Sequence, residues 1–277
     1  MTLQNKTKGV LLFAKNNPDF NYVKQAIVCA TLAKHYLNVP VALVTDKDEL
    51  TDDISIFDIV IDYKTTVKAN VRPFYIDGKP KRLQWHNIDR LLACELSPFD
   101  ETLVLDTDYL IQNNVLNQVW GCNNPMLMNT DTRLPSGPQL HVTENVIADG
   151  FPPVHWFTVM YFKKCDETKL WFDFASFVKE NHNFYKKVFR SPYHYYRNDI
   201  VAAITSHIIG GYEDGYMKPL PTRQINSYPP EQILQIDHGK IVLNTEEYPV
   251  LIKDTNIHIV NKLEIERNFN RFMEIYA

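Results

Sequence analysis

Two aspartates one residue apart, Asp106 and Asp108, stand directly after the apolar run Thr102-Leu103-Val104-Leu105. That run predicts a short buried strand of a parallel sheet. The pair then lies where the strand ends, and in open α/β sheets ligands bind outside the carboxyl ends of the strands. Two carboxylates at that place offer hard oxygen ligands to a divalent cation. A cation there implies phosphate, and phosphate in an α/β protein implies a nucleotide. The chain has only nine glycines and neither GxGxxG nor GxxxxGK[ST], which argues against dinucleotide-binding Rossmann and P-loop sites. Without a glycine cradle, a metal has to neutralise the phosphates.

The elements that must position this pair follow from the hydrophobic pattern. Gly9 to Ala14 predicts a first strand. Asn21 to Leu37 has helical spacing through Val23, Ala26, Ile27, Ala30 and Ala33. Val39 to Val44 and Ile59 to Ile61 predict the next two strands, the opening of a parallel sheet. Val67 to Arg82, with Pro73, Gly78 and Pro80, predicts a loop, and Trp85 to Leu96 a helix leading into the strand before the aspartates. Further on, Pro125 to Met128 and Thr158 to Phe162 predict strands, with a polar lid or acceptor loop between them from Asn129 to Pro153. Trp171 to Glu180 predicts a helix, and Tyr193 to Arg197 a loop entering a helix from Asp199 to Ile209 that Gly210-Gly211 ends. Asn256 to Val260 predicts a late strand and Glu264 to Tyr276 a terminal helix. The expected fold class is α/β: a mostly parallel central sheet flanked by helices.

Composition sets the class of partner. The 277 residues are 45% hydrophobic and 22% charged, ordinary for a protein with a large core. A net charge of −4 gives no global field for nucleic acid or membrane. No segment approaches the ~20 apolar residues of a membrane span. The apolar run in MTLQNKTKGVLLFAK is too short for a signal peptide. Cys29, Cys94, Cys122 and Cys165 are far apart in sequence and form no CxxC pair, so reduced thiols and a cytoplasmic setting are expected.

At the level of motifs, Leu103-Val104-Leu105-Asp106-Thr107-Asp108 followed by Tyr109-Leu110-Ile111 resembles the D-x-D element of the GT-A glycosyltransferases, particularly the glycogenin-like retaining group. The resemblance runs from Gly9 to Lys262 and implies one GT-A domain over 1–277, with 1–112 as the nucleotide-binding half and 113–277 as the acceptor half. It implies Mn²⁺ or Mg²⁺ held by Asp106, Asp108 and His258, the last in His258-Ile259-Val260-Asn261-Lys262. It implies Lys262, and Arg90 sixteen residues before Asp106, on the donor diphosphate. Asp199 in Arg197-Asn198-Asp199-Ile200 matches the family's contact to the donor sugar, and Asp199 and Arg90 are the expected catalytic groups. Tyr22, at the start of Tyr22-Val23-Lys24-Gln25-Ala26, matches a platform for the uracil ring. Asn16 is expected near the base because it follows the first strand, and Thr107 completes the donor-binding set. One departure stands out. The family's Asn-small-Gly before the middle strand is replaced here by Val154-His155-Trp156-Phe157-Thr158. The Lys/Asn/Tyr-rich loops also resemble glycosyltransferases of large tailed phages, which implies modified DNA as a further acceptor and the host cytoplasm as the location.

Each residue also has a plainer reading. Two aspartates after a strand are often solvated, and a strand histidine is often a satisfied one. Arg90 could pair with Asp89 or Glu95 on a helix surface, and Asp199 could be a helix N-cap. Tyr22 could be a core aromatic, and Asn16 a turn residue. Trp156 and the run Tyr193, Tyr195, Tyr196 could be packing. Lys79, Lys81, Arg82 and Lys186, Lys187, Arg190 could be solvated cations. The reading carried forward is a metal-dependent glycosyltransferase using a UDP-sugar and a saccharide or glycan acceptor. Its alternatives are transfer to hydroxymethylated phage DNA, a non-catalytic binding relic, and a metal-dependent phosphoesterase.

Overall fold

In the computed structural model residues 7–277 are described, apart from 65–69, 77–78, 87, 138–145, 149–151, 194, 214 and 246. The first half runs β1 (Lys8–Phe13), α1 (Tyr22–Leu37), β2 (Val41–Thr45), β3 (Ile59–Asp62), β4 (Asn70–Ile76), β5 (Lys79–Trp85), α2 (Ala93–Leu96), β6 (Glu101–Leu105) and β7 (Tyr109–Leu110). The second half runs β8 (Met126–Asn129), β9 (Thr132–Arg133), β10 (Trp156–Lys163), α3 (Asp166–Glu180), α4 (His182–Val188), α5 (Asn198–Ile209) and β11 (Gln224–Ser227). It closes with β12 (Gln232–Asp237), β13 (Lys240–Asn244), β14 (Pro249–Lys253), β15 (Ile257–Ile259), α6 (Leu263–Arg267) and α7 (Phe269–Tyr276).

The central sheet has six strands in the order β3-β2-β1-β6-β10-β8. β1 pairs in parallel with β2 and β6, and β2 with β3, while β10 is antiparallel to both β6 and β8. Five strands therefore run one way and β10 alone reverses. Both faces are covered. Val10, Leu12, Leu103 and Leu105 pack with α1, whereas Leu11, Val44 and Val104 pack with Trp171, Phe172, Val201 and Ile204 of α3 and α5. This period-two split is what a strand buried on both sides requires. α1 is almost wholly buried, held at its start by Asn21, whose side chain accepts from Lys24 N–H at 2.8 Å, and at its end by Asn38 with φ 53°.

Several expectations are corrected. The stretch from Val67 to Arg82 is no loop over its described part: Asn70 to Trp85 forms the hairpin β4–β5, paired from Asn70↔Trp85 to Ile76↔Lys79. Pro73 and Pro80 are tolerated because both strands of an isolated hairpin are edges, where a missing N–H leaves no ladder bond unmade. Lys68 and Gly78 lie outside the described residues. The helix expected from Trp85 to Leu96 is a 3₁₀ turn over Ile88–Leu92 followed by the four residues of α2. Ser97 is extended there, as a residue before proline must be. The terminal helix is split at Asn268, whose side-chain amide donates to Glu264 O at 2.8 Å. The meander β12-β13-β14 went unread in the sequence, and part of the expected lid at Asn129–Pro153 lies outside the described residues. Among the described residues no helix is long and apolar enough to cross a membrane.

Candidate active site

Topology places the aspartates. The chain leaves β1 toward β2 and β3 on one side, and β6 lies on the other, so the sheet's switch point is the crevice between β1 and β6. At the end of β6, Asp106 N–H donates to Thr158 O at 2.8 Å, and Tyr109 N–H closes a turn onto Asp106 O at 3.1 Å. β7 then pairs antiparallel with β15, which sets His258 opposite Tyr109. Ile259 N–H donates to Asp108 O at 2.9 Å. In this way a histidine far along the chain meets the two acids. One ligand atom each from Asp106, Asp108 and His258 lies within 4.8 Å of the others. His258 Nε2 is 3.2 Å from Asp108 Oδ1 and 3.9 Å from Asp106 Oδ2.

The imidazole is oriented from behind. His258 Nδ1 lies 3.1 Å from Asn226 Oδ1, which also accepts from Gln224 Nε2 at 2.8 Å. Asn226 Nδ2 donates to the Tyr228 hydroxyl at 3.0 Å, so its oxygen faces the ring. With Nδ1 engaged by Asn226, Nε2 is the ring nitrogen that faces the carboxylates: carrying a proton it steadies Asp108, and without one it can ligate a cation. Asp108 Oδ1 is buried and makes no hydrogen bond of good geometry. Two acid oxygens and one imidazole nitrogen within 4.8 Å of one another fit a divalent cation.

Two cations sit against the acids. Lys262 Nζ contacts Asp108 Oδ2, and Arg90 Nη1 contacts Asp106 Oδ1. Burial by itself would raise the Asp108 carboxyl, but Lys262 and His258 outweigh it and hold the group well below the usual carboxylate range. Burial raises Asp106; Arg90 opposes that rise and Asp108 adds to it. Arg90 does not pair on a helix surface. It is 5% exposed, with its guanidinium 5.0 Å from the centre of the Phe157 ring.

These groups form the floor of a cavity of about 510 Å³. One wall is aromatic, from Tyr22 at the start of α1 and from Phe74 and Trp85 of the hairpin. The Lys262 ammonium lies 5.5 Å from the Tyr22 ring and 5.4 Å from the Trp85 ring. The other wall carries Trp156, Tyr193, Arg197 and Asp199. Asp199 does not cap the helix, which begins at Asn198 after Arg197. Its Oδ1 accepts from Phe157 N–H at 3.0 Å, and its Oδ2 from Arg197 Nε and Nη2 at 3.2 and 2.8 Å. The Arg197 guanidinium in turn lies 4.7 Å from the Tyr193 ring and 5.9 Å from the Trp156 ring.

Arg90, Asp106, Thr107, Asp108, Asp199, Tyr22, His258 and Lys262 thus line one cavity. Asn16 is not among the described residues lining it; its Oδ1 accepts from Val23 N–H at 3.1 Å and shapes the entry to α1. Phe74, Trp85 and Arg197 were missed as site residues, as was Asn226. A hairpin reading of Asn70 to Trp85 would have raised the first two. Nothing in the sequence marks Asn226.

No family model matches the chain, and no curated protein does. Solved structures overlap it in part. An active-site mutant of LgtC overlaps with a TM-score of 0.44 at 14% identity, over 71% of this chain and 70% of that one. The apo form of the glycosyltransferase GlyE of Streptococcus pneumoniae TIGR4 overlaps with 0.39 at 11% identity, over 76% and 45%. The bifunctional glycosyltransferase WbbM overlaps with 0.37 at 13% identity, over 68% and 38%. The overlap thus takes in less than half the length of GlyE and of WbbM.

Proposed function

We propose that this chain is a metal-dependent glycosyltransferase of the GT-A type, moving a sugar from a UDP-sugar to a saccharide acceptor with retention. The observation that carries the reading is the convergence of Asp106, Asp108 and His258 beside Lys262 and Arg90, on the floor of a cavity with an aromatic wall. The whole chain acts as one domain, with 1–112 holding the nucleotide and 113–277 the sugar and acceptor. Cysteine usage alone supports the cytoplasm as its location.

Asp106, Asp108 and His258 would hold Mn²⁺ or Mg²⁺, which supplies Lewis-acid stabilisation of charge on the departing diphosphate. Lys262 and Arg90 release their carboxylates to turn toward phosphate oxygens, adding fixed positive charge where negative charge develops. Tyr22, backed by Trp85 with ring centres 6.3 Å apart, offers its face to the uracil. Asn16 shapes the backbone under that platform. Asp199, with both oxygens engaged, acts by holding Arg197 in the sugar-side wall. A two-metal phosphoesterase needs more converging ligands than the three that meet among the described residues.

Calorimetry tests the reading. UDP is expected to bind far more tightly with Mn²⁺ than with EDTA, and His258→Ala to weaken Mn²⁺-dependent binding by about 10–100-fold without loss of fold. Equal UDP affinity in both conditions sinks the metal-bridged site. Binding with no UDP release from any UDP-sugar marks the chain as a relic.

A further inference from the structure

Gln25 is 0% exposed on a helix whose other inward positions are mostly aliphatic. A buried carboxamide costs stability unless its polar atoms are paired, so its partners are informative. Its Nε2 donates to Glu266 Oε1 at 2.8 Å. A carboxylate only accepts, which fixes the amide orientation and leaves Gln25 Oε1 facing the Thr107 hydroxyl at 3.3 Å. Glu266 Oε1 also accepts the Asn21 backbone N–H at 3.0 Å.

Each end of this relay touches a segment that carries a site residue. Thr107 stands between Asp106 and Asp108. Glu266 belongs to α6, the helix that begins directly after Lys262. Asn21 caps α1 immediately before Tyr22. Three segments distant in sequence thus meet through one amide. We propose that Gln25 is a positioning residue for the donor site, setting the aspartate turn, the Tyr22 end of α1 and the helix behind Lys262 in one register. The inference rests on the reading of Asp106, Asp108 and His258 as a metal site. Gln25 is not among the described residues lining the cavity, and works through Thr107 and Glu266.

The test is Mn²⁺ titration calorimetry on the full chain, held well below each variant's melting temperature. Gln25→Leu is expected to raise the Mn²⁺ dissociation constant about tenfold, the size seen when groups behind metal ligands are removed. Thr107→Val leaves the Gln25–Glu266 bond in place and serves should Gln25→Leu not fold; it is expected to weaken Mn²⁺ similarly. The double variant is expected to lose no more than either single one, since both cut the same link. Thr31→Val is the control: that buried α1 hydroxyl bonds Ile27 O at 2.9 Å and should leave Mn²⁺ affinity unchanged. Variants that melt lower but bind Mn²⁺ as the unsubstituted protein does overturn the proposal while leaving the metal site standing. Failure of the unsubstituted protein to bind Mn²⁺ overturns both.

Discussion

Asp108 is 1% exposed, and its charge is tolerated there because Lys262 and His258 face it. Removing one partner of such a pair leaves an uncompensated buried charge, at a cost of about 3–5 kcal/mol. Lys262→Met keeps most of the packing against Tyr22 and Trp85 but removes the ammonium. In EDTA this variant is expected to melt well below the parent. Mn²⁺ should then raise its melting temperature by more than it raises the parent's, because the ion supplies the missing positive charge and no longer competes with the ammonium. Equal Mn²⁺ shifts in the two proteins would show that Lys262 does not share its place with a metal. The same geometry settles two of the plain readings of the sequence. Arg90 is buried against Asp106, and Asp199 holds Arg197 instead of capping its helix.

Among the elements, the hairpin β4–β5 decides the shape of the cavity. Polar contacts with neighbouring segments tie its described residues down. Asn17 Nδ2 donates to Gln84 O at 2.7 Å, Asn70 Nδ2 donates to Tyr196 O at 2.7 Å, and Lys81 contacts Asp19. Its inner face packs as a small cluster of Leu83 and Trp85 with Phe20, which Phe74 and Tyr22 join. Phe74 and Trp85 stand 5.4 Å apart, edge to face. Phe74→Ala removes one ring of this wall without touching a metal ligand. An aromatic pair is worth about 0.5–1.5 kcal/mol beyond its burial, so UDP affinity in Mn²⁺ should fall by about threefold to tenfold. Affinity for Mn²⁺ alone should stay unchanged. Parallel titrations with Mn²⁺ and with UDP check this, and a loss of Mn²⁺ affinity would place the hairpin in the metal site instead. The sequence concealed the hairpin because its prolines read as loop punctuation, while only pairing shows that both strands are edges.

For the whole molecule, charge bears on the acceptor. The net charge is −4, so a polyanionic acceptor needs a local basic surface. Lys79, Lys81 and Arg82 are exposed on the hairpin, and α4 with Lys187 reaches the Tyr193–Arg197 loop through His182, 5.6 Å from the Tyr196 ring. None of those cations is among the described residues lining the cavity. UDP release in Mn²⁺ is expected to be stimulated by simple saccharides and not by hydroxymethylcytosine DNA. The charge reversals Lys79→Glu and Arg82→Glu should leave the saccharide reaction intact. Release stimulated by DNA alone, falling with salt and lost in the reversed variant, would reverse the ranking of acceptors, because counterion release scales with the phosphates neutralised.

The sequence by itself determined the local features: the α/β order, the buried strand before Asp106, the apolar helix after the first strand, and the late strand bearing His258. Each is written in hydrophobic period over a short window, which one strand or helix reads without its neighbours. Tertiary structure decided what those windows do not contain. His258 meets Asp108 because β15 pairs with β7 in one register, and a slip of one residue would turn the ring to the other face of the sheet. Asn226 reaches the imidazole because β11 lies beside β15, and Gln25 reaches Thr107 and Glu266 because α1 packs between them. In the sequence these are an ordinary asparagine and an ordinary glutamine. Their roles come from pairing register and helix packing, which depend on contacts between segments and leave no periodic trace in either one.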